Sequence, residues 1–440
     1  MEAAMWTTQQ ILALAPDESS VKAGQSLASL SKWVSVSRDD RILWGECQGS
    51  GSKPYQVQVD LSEPAFKCSC PSRKFPCKHA LGLMMMLAPG ANQPARSRPQ
   101  WVVEWVIARE EKARKKAEAA TSGPTALSDP EAQQRRTADR MARAANAIAD
   151  LDTFLEDMVR HGLSQVQSAG IKYAAQPAAR MVDNQAPGLA RLIGKIPGLA
   201  AAGPHWQECL LAHISRMYLV GRAFQRLESL PVELQADVKA FLGHSVREQD
   251  LATLPAINDI WTVVGQRTEE EDRLRAQRTW LLGWESRRCA MVLNFAYSGT
   301  PMKDLLAVGN SSTADIVFYP GRYPMRATIR SRQADWRDVA ILPGYADFDA
   351  ALDAYAGALA QTPWLEQFPI LLKGAIPWQF ESFLLLDARY KKVPIQAPAE
   401  LKWKMLALSG GHPVDVFGEW DGHSLTVMGM LAEGGYHELN

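Results

Sequence analysis

A chain of 440 residues can build about two to four domains with real hydrophobic cores. Its 47% hydrophobic and 22% charged residues are the composition of a soluble globular protein and exclude a largely disordered one. Lys plus Arg and Asp plus Glu number 48 each, so no global field draws in nucleic acid, and the longest apolar run, around Ala80 to Ala88, is far short of the roughly 20 residues of a membrane span. The chain opens Met1-Glu2-Ala3-Ala4 with no basic leader, and a cytoplasmic protein is expected.

Residues 1–90 read as one α+β module. Asp40-Arg41-Ile42-Leu43-Trp44 and Tyr55 to Leu61 alternate as strands do, joined through Gly49-Ser50-Gly51-Ser52. Gly49 and Gly51 begin like a dinucleotide fingerprint, but Pro54 stands where its third glycine belongs. Cys68-Ser69-Cys70 follows, then six residues, then Cys77-Lys78-His79. Zinc takes four tetrahedral ligands from thiolate and imidazole, and Cys68, Cys70, Cys77 and His79 supply a closed set with no open position for catalysis. Residues two apart on a strand point the same way, so Cys68 and Cys70 can grip one ion together. Cys77 and His79 fall where Ala80 to Leu87 begins to read as a buried helix, whose N-terminal dipole favours thiolate. Free buried cysteines or a redox pair are the competing readings. A disulfide fits poorly, because nothing marks the chain as secreted.

At these residues the chain resembles the SWIM zinc-finger family, whose signature is C-x-C, a variable loop, then C-x-H. Tyr55 to Leu61 leads in as the family's strand does, Pro76-Cys77-Lys78-His79 is typical of its helix start, and the finger covers residues 55–88. The segment Leu43 to Ser52 and the order of later segments are similar to long bacterial proteins carrying an N-terminal SWIM module. The resemblance implies a strand-strand-helix fold around Zn2+, a role in binding DNA or proteins, and a setting near MoxR-type AAA+ ATPases and von Willebrand A-type proteins.

Pro89, Pro94 and Pro99 mark residues 91–127 as a linker followed by a helix. Trp101 and Trp105 lie on one face of that helix, which becomes basic through Arg109, Lys112, Arg114, Lys115 and Lys116. They could stack on bases or pin the helix to the body. From Pro64 to Lys116 eleven Lys and Arg stand against three Glu, so a locally basic finger sits on a mildly acidic body.

Ser128-Asp129-Pro130-Glu131 has the form of a capping box, and Met141, Ala145, Ile148, Leu151, Leu155 and Met158 continue at helical steps until Gly162. Leu210, Ile214, Met217, Gly221 and Phe224 make another stripe, and Pro231 to Phe241 another helix. Asp183 to Gly188 reads as a helix end. Glu269-Glu270-Glu271-Asp272 before Arg273, Arg275 and Arg278 has the order that complements a helix dipole, so residues 128–286 are expected to be helical. Residues 287–440 read as β-rich, with strands at Ile316 to Tyr319, Met325 to Ile329, Phe383 to Leu386 and around an Asp421-Gly422 hairpin, and one helix near Asp347 to Leu359. The expected fold is α+β multidomain: a strand-strand-helix zinc module, a mostly α-helical centre and a β-rich C-terminal domain.

The sequence holds no G-x-S-x-G elbow, no H-E-x-x-H and no phosphate loop. His412, Asp415, Glu419, Asp421 and His423 gather near the C-terminus, where polar hairpin residues are expected in any case. Cys47, Cys209 and Cys289 read as buried small hydrophobes. A non-catalytic interaction protein is expected, an adaptor for a protein partner such as an AAA+ ATPase or von Willebrand A-type protein. The alternative is DNA or RNA binding. Either partner would meet a recognition surface of Arg73, Lys74, Phe75, Lys78, Trp101, Trp105, Arg109, Lys112, Arg114, Lys115 and Lys116.

Overall fold

The computed structural model describes residues 11–439 except 13, 16–17, 49–52, 62–64, 73, 88–96, 122–129, 204, 245, 247, 272–273, 298–301, 303–305, 334–336, 340 and 380–382. Helix α1 (Glu18–Gln25) precedes an antiparallel sheet in the order β1 (Trp33–Arg38), β2 (Ile42–Cys47), β3 (Tyr55–Asp60), β4 (Ala65–Cys68). The sheet is covered on both faces because β2 is apolar at successive positions. Leu43, Val57, Val59 and Phe66 face α2 (Lys78–Met85) through Leu81, Leu83 and Met84. Ile42 and Trp44 face α3 (Gln100–Thr121) through Val102 and Val106. The zinc module is thus a three-layer unit with four strands. The helix assigned to residues 91–127 is one of its layers. Helices α1 and α2 cross where glycines allow it, since a Cβ on Gly82 would lie 2.8 Å from that of Leu27 and one on Gly24 2.9 Å from that of Leu81.

The helical region comprises α4 (Pro130–His161), α5 (Ser164–Ala169), α6 (Ile171–Asp183), α7 (Pro187–Ala200), α8 (Trp206–Gln225), α9 (Val232–Phe241) and α10 (Glu248–Ala252). Ile148, Leu151, Leu155 and Met158 of α4 form its core with Leu192, Ile193 and Ile196 of α7 and Leu210, Ile214 and Met217 of α8. Neighbours run α4, α6, α7, α8 and back to α4, which closes a four-helix bundle. Gly162, at φ +87°, ends α4 as its sequence implied. The start expected at Ser128 lies outside the described residues. Asp183 to Gly188 is the α6–α7 joint, where Asn184 donates to Asp150 at 3.1 Å.

The helical region ends before residue 257, not at 286. Residues expected to be helical form the hairpin of β5 (Ile257–Glu271) and β6 (Leu274–Gly283). The acid-then-base order that suited a helix dipole is a cross-strand arrangement: Glu270 lies opposite Arg275, and Glu269 is 3.8 Å from Arg278.

The β-rich part is two closed barrels. In the first, β5 and β6 are joined by β7 (Cys289–Tyr297), β8 (Asn310–Phe318) and β9 (Arg326–Arg332), paired in the ring β5-β6-β7-β9-β8-β5, with the short β10 (Arg337–Asp338) beside β8. After α11 (Phe348–Gln361), the second consists of β11 (Phe368–Gln379), β12 (Phe383–Leu386), β13 (Lys392–Gln396), α12 (Ala399–Ser409), β14 (Val414–Trp420) and β15 (Leu425–Ala432), with β16 (Gly435–Glu438) beside β15. Its ring is β11-β12-β13-β15-β14-β11. In each, strands one to five pair in the order 1-2-3-5-4-1 and the third and fifth run parallel. In each, the first strand bends at an irregularity, Val263/Gly265 or Leu372/Ala375. This is the strand order of the OB-fold barrel. The Asp421-Gly422 turn is longer than expected: Trp420 pairs with Leu425, and Asp421 Oδ1 accepts the amides of His423 and Ser424.

The barrels pack directly on each other. Trp280 meets Phe417 with ring centres 6.3 Å apart, and the buried Glu419 accepts the Trp280 indole N–H at 2.6 Å and Arg278 Nη1 at 2.8 Å. The bundle meets the segment entering the second barrel, where Glu366 receives Arg191 at 2.6 Å and Lys195 at 2.7 Å. Among the described residues no helix is long and apolar enough to cross a membrane.

Candidate metal centre

The end of β4 and the start of α2 bring the four expected ligands together. Cys68 is the last residue of β4, held by pairing with Val57, and Ser69 continues the register through its N–H to Gln56 O at 3.0 Å. Cys77 is the N-cap of α2 and His79 lies in its first turn. The ligand atoms of Cys68, Cys70, Cys77 and His79 all lie within 4.8 Å of one another. His79 presents Nδ1 at 3.8 Å from Cys68 Sγ, and its ring is held by that of Tyr55 at 5.0 Å. Phe66 and Phe75 pack edge to face at 5.8 Å beneath the knuckle. Three sulfurs and one imidazole nitrogen converging from a strand end and a helix start are the donor set of a structural zinc site.

The electrostatics agree with that chemistry. A hydrogen bond from Cys68 pulls the Cys77 thiol down to about 4 against its burial, with help from His79 and the Ala80 amide. The same interaction and burial push Cys68 up. Zn2+ held by the four side chains would supply the charge that lets all three thiols ionise. Cys47 is not a fourth sulfur of the site, since its Sγ turns to Lys32 O at 3.5 Å. Among the described residues no other group of three or more His, Cys, Asp or Glu converges in this way. The C-terminal acidic and imidazole residues are dispersed: Asp415 is bound to Lys373 and Glu419 lies between the barrels.

Of the seven described side chains of the surface expected to meet a partner, five are engaged inside the module. Lys74 Nζ donates to Ser19 at 2.8 Å, and Phe75 is half-buried against Phe66. Trp101 and Trp105 pack half-buried on the Ile42 and Trp44 face. Arg109 lies 5.4 Å over the Trp105 ring and 3.6 Å from Asp60. Asp60 is fully buried and also receives Arg41 at 3.0 Å, so two guanidiniums and one carboxylate lock α3 to the sheet. Lys78 and Arg114 are exposed. Arg73 lies outside the described residues, as do the side chains of Lys112, Lys115 and Lys116. The residues missed by sequence reasoning are Asp60 and Arg41. Asp60 carries only the weak signal of a charge at the end of an alternating strand.

With this geometry in place, residues 55–88 match the SWIM zinc finger and residues 139–242 match the SWIM-associated four-helix bundle domain. The first match spans β3 to α2, and the second spans most of α4 through α9. Neither a curated protein nor a solved structure matches the chain.

Proposed function

Because the chain is a SWIM-type protein with its zinc module toward the N-terminus, we propose that it is a non-catalytic, cytoplasmic interaction protein whose module docks a protein partner while bundle and barrels hold further components. Its partner class is the one the family resemblance implies, an AAA+ ATPase or a von Willebrand A-type protein. A tetrad that fills all four zinc positions from the protein supports a structural metal over a catalytic one. The observation that carries the choice of a protein partner is the surface of the module. Lys74 and Arg109 are tied to Ser19 and Asp60, whereas Leu30, Val34, Val103 and Ile107 stand exposed. Apolar side chains of this size on a small three-layer unit favour a protein surface over phosphates.

The test mixes purified zinc-loaded protein with an AAA+ ATPase and a von Willebrand A-type protein of the same source and follows complex formation by calorimetry. Val34→Glu and Ile107→Glu should each weaken the complex about ten-fold or more while one zinc per chain is retained. Failure of both candidates to bind, or full binding by both variants, overturns the reading. DNA or RNA binding through Lys78, Arg114 and the rest of the basic run is the second reading, favoured by the local charge excess. It requires salt-steep binding lost in Lys78→Glu.

A further inference from the structure

The two barrels share one topology but not one fate for the face formed by their first three strands. In the first barrel that face is occupied: Arg278 and Trp280 of β6 are covered by Glu419 and Phe417 of the second barrel. Its remaining end carries Glu269 opposite Ala276. In the second barrel the equivalent face is open. Its inward residues are the buried Ala375, Pro377, Phe383, Leu385 and Val393. Alternation then puts two rows on the outside, Trp378-Leu384-Pro394 and Ile376-Leu386-Lys392, aligned by the strand register. Trp378 is 49% exposed and Tyr390, at the β12–β13 turn beyond the second row, 74% exposed.

We propose that this outer face of β11, β12 and β13 binds single-stranded nucleic acid, with Trp378 and Tyr390 stacking on bases and Lys392 contacting the phosphate backbone. Three observations favour this occupant. The two rows carry no carboxylate, and the exposed Lys392 has no ion-pair partner among the described residues. Arg389 and Lys391 at the turn are paired with Asp347 and Asp349 and add no net positive charge, so Lys392 is the cation this face offers to phosphate. Rows about 7 Å apart on strands about 4.8 Å apart make a platform wide enough for two or three splayed bases flanked by apolar Ile376, Leu384, Leu386 and Pro394. Finally, the face lies on the second and third strands of the barrel order, where such barrels expose their ligand platform. An oligosaccharide would want carboxylates and amides beside the aromatic ring, and a β-adding peptide would want a free strand edge; the paired centre of this face offers neither.

This inference does not rest on the protein-partner reading, since its residues are on the opposite end of the chain from the zinc module. The test is fluorescence anisotropy of labelled oligo(dT) and oligo(U), each of about 12 nucleotides, against the full zinc-loaded chain across a salt series. Binding should fall steeply with salt. Trp378→Ala should weaken it about ten-fold, and Lys392→Glu should weaken it and flatten the salt slope by about one. Cys77→Ser and Lys78→Glu should leave it unchanged. The two oligonucleotides separate DNA from RNA preference. No binding at low salt, or binding that survives Trp378→Ala and Lys392→Glu but is lost in Lys78→Glu, overturns the proposal. So does a Trp378→Ala variant that splits a dimer while the parent binds no oligonucleotide, because the face is then a self-association surface. Both substituted side chains are exposed, so unchanged circular dichroism is the expected control.

Discussion

Replacing Cys77 by serine removes one of four zinc ligands while leaving a good N-cap residue at the start of α2. In isolated finger peptides the metal contributes about 10–16 kcal/mol and its loss unfolds the domain. Here the finger shares its core with elements outside it: Leu81, Leu83 and Met84 of α2 are fully buried beside Ile11, Trp33, Val36 and Leu43. Burial of those three α2 side chains at about 1.5–3 kcal/mol each holds the helix on the sheet by roughly 5–9 kcal/mol without metal. The expected result is therefore graded. In Cys77→Ser, zinc content should fall from one per chain to none and amides of the knuckle, residues 69–79, should exchange at near-unfolded rates. The later turns of α2 should lose part of their protection, while β2 and β3 keep theirs. Hydrogen exchange resolved by mass spectrometry measures all three. If β1 to β4 lost protection together, the metal would be the core of the module and the packing argument would fail; if the knuckle were unchanged, the tetrad would not be a metal site.

Glu419→Ala should be the most damaging single change in the barrels, because it strands the Trp280 indole and the Arg278 guanidinium in a buried contact; about 3–5 kcal/mol is expected, read as a lower urea midpoint of the tryptophan-monitored transition. Glu419→Gln should recover part of it. At the bundle contact, burial would raise Glu366, but Arg191 and Lys195 outweigh it and hold the carboxyl at about 2. Its folded value lies below its unfolded one, so the stability it contributes, about 2–3 kcal/mol, is present above pH ~4.5 and is lost as pH falls toward 2. Glu366→Gln should flatten that acid limb in a pH series of thermal melts.

What the sequence revealed depended on distance along the chain. The metal ligands were legible because both pairs are local, C-x-C on a strand end and C-x-H on a helix start, and the bundle helices because their stripes repeat every three or four residues. The lock of α3 was not, since Asp60, Arg41 and Arg109 come from three separate elements. Barrel closure was not either: it depends on the parallel contacts of Met291 with Arg326 and Ile395 with Leu425, which no local pattern encodes. Residues 269–278 satisfied two rules at once, helix dipole and cross-strand pairing, and the strand period of Trp261, Val263, Thr279 and Leu281 was the signal that could have decided between them. Helix α12 did carry end signals, Pro398 at its N-cap and Gly410 in the left-handed region at φ 58°, around the Leu401 and Met405 stripe.

The contacts between units bear on how module and barrels could act together. Ala307, from the segment leading into β8 of the first barrel, is buried in the zinc module's own core. Glu366, at the entry to the second barrel, is clamped by α7 of the bundle, and Asp237 of α9 accepts the Arg322 amide of the β8–β9 turn at 2.9 Å. Module, bundle and barrels therefore meet through packed or charge-assisted contacts, and the two barrels are joined by the buried Glu419. A partner bound to the module would be held at a fixed distance from a strand bound on the Trp378 face. Loosening one joint separates this arrangement from independent binding: Glu366→Ala should leave affinity at each face unchanged but reduce any coupling between them. Coupling measured as the change in oligonucleotide affinity on adding the protein partner should shrink in that variant. Coupling that persisted undiminished would mean that the bundle contact does not transmit it.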